Sequence, residues 1–323
     1  MSNTRYMRKS VLLAGTEATY GTAVVVGATD MIVASNVEMT MNPSNKNRDV
    51  IYPWLGASEE LVGDDYMTIS FECELAPSGA AGTAPQWGKL LKGCGMSETV
   101  VATTSVEYKP ISDTFSSLTL KFNIDGAFFQ CTGSRGTFEL TMGVGDIPKI
   151  KFTFTGLYDG TQGTYSLNPT STLWKTPEIV TNRNTTGIKL ACTYAAGVLT
   201  AGTAYDSRGL NSLNIGNSVA YQNMIGTGSE QVVISDRSST GSVVMNLSAA
   251  DELLFRTAIR ANTTTSMGME HGSAAGKKVV IYAPSVQRIN PKVVNQDGMA
   301  MLGMDLRILP TSAGNDEFVI FCK

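Results

Sequence analysis

Residues 67–75 alternate without a break: Met67, Ile69, Phe71, Cys73 and Leu75 fall on one side of an extended chain, and Thr68, Ser70, Glu72 and Glu74 on the other. Successive side chains of a strand point to opposite faces, so this run predicts a strand with one buried and one wet face. A helix would scatter the same residues around its circumference. The period recurs in Leu118-Leu120-Phe122-Ile124, in Phe138-Leu140-Met142 and in Ile150-Phe152-Phe154, with Thr119, Lys121, Glu139, Thr141, Lys151 and Thr153 pointing away. Sheets of this kind are antiparallel and solvated on one side. Asp125-Gly126, set between two alternating runs, predicts a two-residue hairpin turn, because such a turn needs positive φ at both central positions.

This pattern occurs twice. The stretch Ile32 to Tyr158 runs through a strand, a loop, an alternating strand, a short helix and paired strands, and Leu210 to Phe321 repeats the order. With 323 residues the length also suggests two domains, each able to close its own core. The expected division is an arm over 1–30, a first β domain over 31–160, a connector over 161–205 and a second β domain over 206–323. The connector holds at most a short hairpin, Ile188 to Tyr194 with Val198 to Thr203. Each half carries one helix. Ala84 to Gly95 places Trp87, Leu90, Leu91 and Cys94 on one face with Gly95 as the stop. In the second half Ser248 caps Ala249 to Ala261, whose expected apolar stripe is Leu253, Leu254, Ala258 and Ile259.

Charge narrows the function. Only 16% of residues are charged against a usual ~25%, and the 32 glycines favour strands and turns. A net charge of -3 provides no polybasic footprint for gripping nucleic acid by counterion release. Residues 30–160 hold 16 acids and 9 bases, whereas 205–323 hold 10 of each, so the negative excess lies in the first half. The five cysteines, Cys73, Cys94, Cys131, Cys192 and Cys322, are odd in number and never in a CxxC pair, which predicts buried thiols in a reducing compartment. The opening apolar run Val11 to Ala14 is shorter than a signal peptide requires, and no run approaches the ~20 residues of a membrane span. The expectation is a soluble product of the cytoplasm with no membrane partner.

Catalytic constellations are missing from the sequence. The single histidine, His271, lies beside a Gly-rich turn with no G-x-S-x-G elbow in the chain, and is expected to be a loop residue. One histidine and scattered cysteines cannot supply a zinc site. Glu72 and Glu74 are about 6–7 Å apart on one strand face, which would allow an acid-pair hydrolase, but any i, i+2 pair on a strand has that spacing. Gly79-Ala80-Ala81-Gly82 and Gly226-Thr227-Gly228 lack the Lys-Ser/Thr of a P-loop and are expected to be turns. No cofactor is expected. The segment Asn42 to Asp65 predicts a long loop rich in large apolar residues: Tyr52, Pro53, Trp54, Leu55, Leu61 and Val62. Such a loop either folds back over its own sheet or meets a partner surface. Exposed Tyr52 and Trp54 would also suit stacking on a sugar in a carbohydrate-binding protein of the baseplate or adhesin kind.

Several stretches resemble one family closely. They are Lys9-Ser10-Val11-Leu12-Leu13-Ala14-Gly15-Thr16-Glu17-Ala18-Thr19-Tyr20-Gly21-Thr22, Arg48-Asp49-Val50-Ile51-Tyr52-Pro53-Trp54-Leu55-Gly56-Ala57-Ser58, Ala84-Pro85-Gln86-Trp87-Gly88-Lys89-Leu90-Leu91, Phe122-Asn123-Ile124-Asp125-Gly126, and Ile147 to Tyr158. The chain is similar to the major tail tube proteins of long-tailed, non-contractile bacteriophages. That resemblance implies a mainly β protein of two tandem β-sandwich or barrel domains, each with a flanking short helix. It implies self-association into trimeric, pseudo-hexameric rings, or hexamers, stacked into a virion tube through which DNA passes without sticking. Further implied partners are the tape measure, tail terminator and baseplate proteins. The segment carrying Tyr52, Pro53, Trp54, Leu55, Leu61 and Val62 falls where the family makes contacts between rings. Glu72, Glu74 and Glu139, facing away from the core, are candidates for an electronegative lumen, which would repel phosphate.

Overall fold

The structure, a computed structural model, describes residues 4–158, 160–164, 169–225 and 230–323. The chain is mainly β, and its strands pair antiparallel throughout. Six strands lie side by side in the order Ser10–Thr16, Leu118–Ile124, Ala127–Gly143, Lys149–Leu157, Glu60–Glu74, Ala34–Asn47. The order Ile188–Leu190, Thr264–His271, Val279–Gln296, Met299–Ile308, Thr240–Met245, Ser207–Asn214 repeats it strand for strand. Each set also adds a strand at the same place, Gln162–Thr164 on Ala127–Phe129 in one and Val319–Cys322 on Val279–Tyr282 in the other. The pattern thus begins at Ser10 and at Ile188, inside segments expected to be an arm and a connector. The expected connector hairpin is present, with Tyr194 opposite Leu199 and Ile188 opposite Tyr205.

Local chemistry explains the turns and caps. Asp125 and Gly126 have φ of 43° and 95°, both in the left-handed region, and join Ile124 to Ala127 as the sequence predicts. Helix α1, Gly88–Gly93, is shorter than the expected Ala84 to Gly95: the residues before it form a tighter turn, Gly88 N–H to Pro85 O at 2.9 Å, and left-handed Gly95 lies past its end. Its apolar face is as expected: Trp87, Leu90, Leu91 and Cys94 are fully buried. Helix α2, Ala249–Arg260, begins where expected, with Ser248 Oγ accepting from the Asp251 N–H at 3.1 Å. Its buried face is only partly the expected one: Ile259 packs against the core and Ala258 is half-buried as predicted, but the two leucines are not. Phe255 goes inward, edge-on to Tyr205 with centroids 5.1 Å apart, while Leu253 and Leu254 are 68% and 67% exposed. Two leucines outweigh one phenylalanine in a periodicity count, but a single ring filling the gap above Val279–Gln296 sets which way the helix faces. The Gly79 to Gly82 stretch is a turn, whereas Gly226-Thr227-Gly228 lies outside the described residues.

The two sets of strands share one sheet. Ala127–Gly143 pairs with Ser207–Asn214, setting Met142 opposite Leu210 and Leu140 opposite Leu213. A second join runs through Val319–Cys322, which pairs with Ser105–Pro110. The core is correspondingly continuous. Phe71, Phe138, Phe152 and Phe154 form one aromatic cluster, and Phe318, from the far end of the chain, meets Phe138 edge-on at 6.1 Å. All five cysteines are buried and unbridged, as expected, and burial pushes the Cys322 thiol up to about 12.

Candidate assembly interface

The segment expected to be a loop is mostly strand. Asn42 pairs with Tyr66, Asn45 with Val62 and Asn47 with Glu60, so Ala34–Asn47 and Glu60–Glu74 form a long hairpin whose connecting loop is only 48–59. Leu61 and Val62 therefore sit in a strand. The ribbon escaped notice because Asn42, Pro43, Asn45, Asn47 and Gly63 break the alternation. A two-stranded ribbon with no core beneath it has no face to make apolar. At the tip Tyr52 stacks on Trp54 with centroids 5.3 Å apart, and Arg48 pairs with Glu59 across the base. Tyr52, Pro53, Trp54 and Leu55 are all exposed, so the tip does not fold back over its own sheet.

A second hairpin, Asn217–Asn223 with Glu230–Arg237, occupies the same position between the strands Ser207–Asn214 and Thr240–Met245. It lies against the first: Tyr221 stacks on Tyr66 at 4.9 Å, and Asn223 hydrogen-bonds Asp64. Its root is fixed to the first set of strands by Asn217, whose amide donates to Cys94 O at 2.7 Å and Gly136 O at 2.9 Å. Arg135 adds a bond from its guanidinium to Val232 O at 2.9 Å while lying over the Tyr20 ring. Tyr20 in turn accepts from the Val232 N–H.

The three candidate acids share the wet face but alternate with lysines. Lys151 stands between Glu72 and Glu139 in register, and Lys149 pairs with Glu74 across the strands while its Nζ reaches Glu72 at 3.2 Å. That hydrogen bond holds the Glu72 carboxyl below its ordinary range. A general acid needs the opposite shift, so Glu72 is poorly placed for hydrolysis. Among the described residues no group of three or more His, Cys, Asp or Glu could hold a metal ion. His271 is not the expected loop residue. It ends the strand Thr264–His271, 3% exposed, with Nδ1 at 2.8 Å from Thr185 Oγ1, and burial pushes its pKa down.

Residues 7–307 match a family described as phage tail tube protein. The chain belongs to that family. Its members are structural proteins of the virion tail, built to assemble with other tail proteins into a tube, and a doubled antiparallel sheet suits such a part. No curated protein matches the chain. Among the described residues no helix is long and apolar enough to cross a membrane.

Proposed function

We propose that the chain is a two-domain subunit of a phage tail tube, three copies of which close a ring of six similar positions. Rings stack around a lumen that DNA traverses during ejection. One observation carries this: the join between the two sets of strands has a counterpart edge in each set that finds no partner strand among the described residues. Inside the chain Leu140 and Leu213 face each other across the join, both fully buried. Position for position, Leu140 corresponds to Val293, since they lie opposite Ile150 and Leu302. Leu213 corresponds to Met39, opposite Gly241 and Ile69. Val293 is 66% exposed, and the outer edge of Ala34–Asn47 has no partner strand among the described residues. A free apolar edge is a template for pairing. Pairing Met39 of one copy with Val293 of the next repeats the internal join and closes the ring after a whole number of chains.

Within such a ring the Glu72, Glu74 and Glu139 face is the candidate lumen surface, its lysines leaving a modest negative excess. The tip with Tyr52, Pro53, Trp54 and Leu55 is the candidate contact between rings. The tape measure, terminator and baseplate proteins are the further partners, in a virion assembled in the host cytoplasm. Electron microscopy of the purified chain, alone and with the tail initiator, tests the proposal. Rings or tubes with true three-fold symmetry are expected, and a sample that stays monomeric under both conditions would overturn it.

A further inference from the structure

We infer that the side of the first hairpin that carries Val62 docks on the end of helix α2 of the neighbouring copy in the same ring. The inference rests on the ring proposed above and adds a contact that ring closure alone does not require. Its template is inside the chain. The second hairpin crosses the end of α1, and the space beside Gly95, two residues past that helix, is filled by the Phe115 ring and, next to it, the Ile234 side chain. Val232, two residues away, is fully buried there.

Both halves of this contact recur elsewhere in the chain without each other. The hairpins correspond closely, because each carries a one-residue register shift at its root, between Pro43 and Asn45 in the first and between Ser218 and Val219 in the second. Val219 faces Ile234 just beyond that shift, and Asn45 faces Val62, so Ile234 corresponds to Val62. Val62 is 70% exposed. On the other side, Gly95 (φ 76°) follows α1 as Asn262 (φ 54°) follows α2, both in the left-handed stop that ends a helix. The end of α1 is buried beneath the second hairpin, whereas Arg260 to Thr264 at the end of α2 are all exposed.

Charge favours the same docking independently. The first hairpin exposes Glu60 beside Val62, with Asp64, hydrogen-bonded to Asn223, just beyond, and the surface at Asn262 carries exposed Arg260 and Arg307, the latter paired with Gln287, whose amide donates to Asn262 Oδ1 at 3.4 Å. Opposite potentials steer such surfaces together and set their register. The partner is therefore a second copy of this chain, approached from the side and within the ring.

Cross-linking tests this in the full chain. Val62→Cys and Asn262→Cys are introduced together, with Val62→Cys plus Ala261→Cys as a second pair because Asn262 holds a positive φ. All these positions are exposed, and the five native thiols are buried from a short bismaleimide. In assembled rings the expected product is a covalent ladder that ends at three chains, absent from each single variant. A ladder running beyond three would place the contact between rings and overturn the inference. Rings seen by microscopy with neither pair linked would overturn it while leaving the ring intact, and failure of any ring to form would overturn both.

Discussion

At the scale of single residues, the most consequential polar group is one that no motif marks. Glu17 is buried, and its carboxylate accepts from Gly21 N at 2.9 Å, Ser117 Oγ at 2.6 Å, Thr119 Oγ1 at 2.9 Å and Gly133 N at 2.8 Å. It ties the start of the chain to the bend in Ala127–Gly143. Glu17→Ala leaves these donors unsatisfied and is expected to cost about 3 kcal/mol, read as a lowered urea midpoint at unchanged slope. An unchanged midpoint would mean that solvent replaces the carboxylate. His271 makes a pH prediction. Its pKa is depressed by burial, so the unfolded chain takes up a proton first. The stability it permits is fully present above the ordinary value of about 6.5 and is lost as pH falls below it toward the depressed folded value. Melting temperature should therefore drop more between about pH 7.5 and 5.5 in the native chain than in His271→Gln. Equal drops would show that other groups carry the acid sensitivity. The burial could not be read from Glu270-His271-Gly272-Ser273, where a glycine signals a turn. The pairing of Thr264–His271 with Val279–Gln296 is what encloses the ring.

At the scale of elements, the decisive contrast is between two strands of the same design. The segment of Ala127–Gly143 that holds Leu140 is covered on both sides, and the segment of Val279–Gln296 that holds Val293 is covered, among the described residues, on one. Val293→Asp is expected to leave the isolated chain folded, within about 0.5 kcal/mol as for surface substitutions, and to abolish ring formation. Leu140→Asp, at a fully buried position, should instead destabilise the chain itself by about 3 kcal/mol or more. Circular dichroism melts paired with microscopy separate the two effects. Rings of normal yield from Val293→Asp would dispose of the proposed edge pairing. The alternating strands, the Asp125-Gly126 turn and the Ser248 cap were legible in the sequence because each depends on residues a few positions apart. The hairpin ribbon over 42–66 and the orientation of α2 were not. A ribbon lacks a buried face, and Phe255 turns inward only because Tyr205 and Val279–Gln296 are there to receive it.

At the scale of the whole molecule, the doubled strand order is continuous with the proposed symmetry. One join is satisfied within the chain, and its counterpart edges have no partner strand among the described residues. If the ring forms as proposed, three chains supply six similar positions that are not identical: the first hairpin carries the stacked Tyr52 and Trp54, and among the described residues the end of α1 is covered within the chain while that of α2 is exposed. From the sequence alone came the β class, the repetition, the placement of both helices and the acids on the wet face. Those follow from side-chain periodicity, which is a local property. The tertiary structure alone decided where the repeats begin, how they share one sheet, and which edges and helix ends stay uncovered. Every non-proline residue carries the same backbone N–H and C=O, so a pattern of side chains tells which face of a strand is buried but not whether its edge has found a partner.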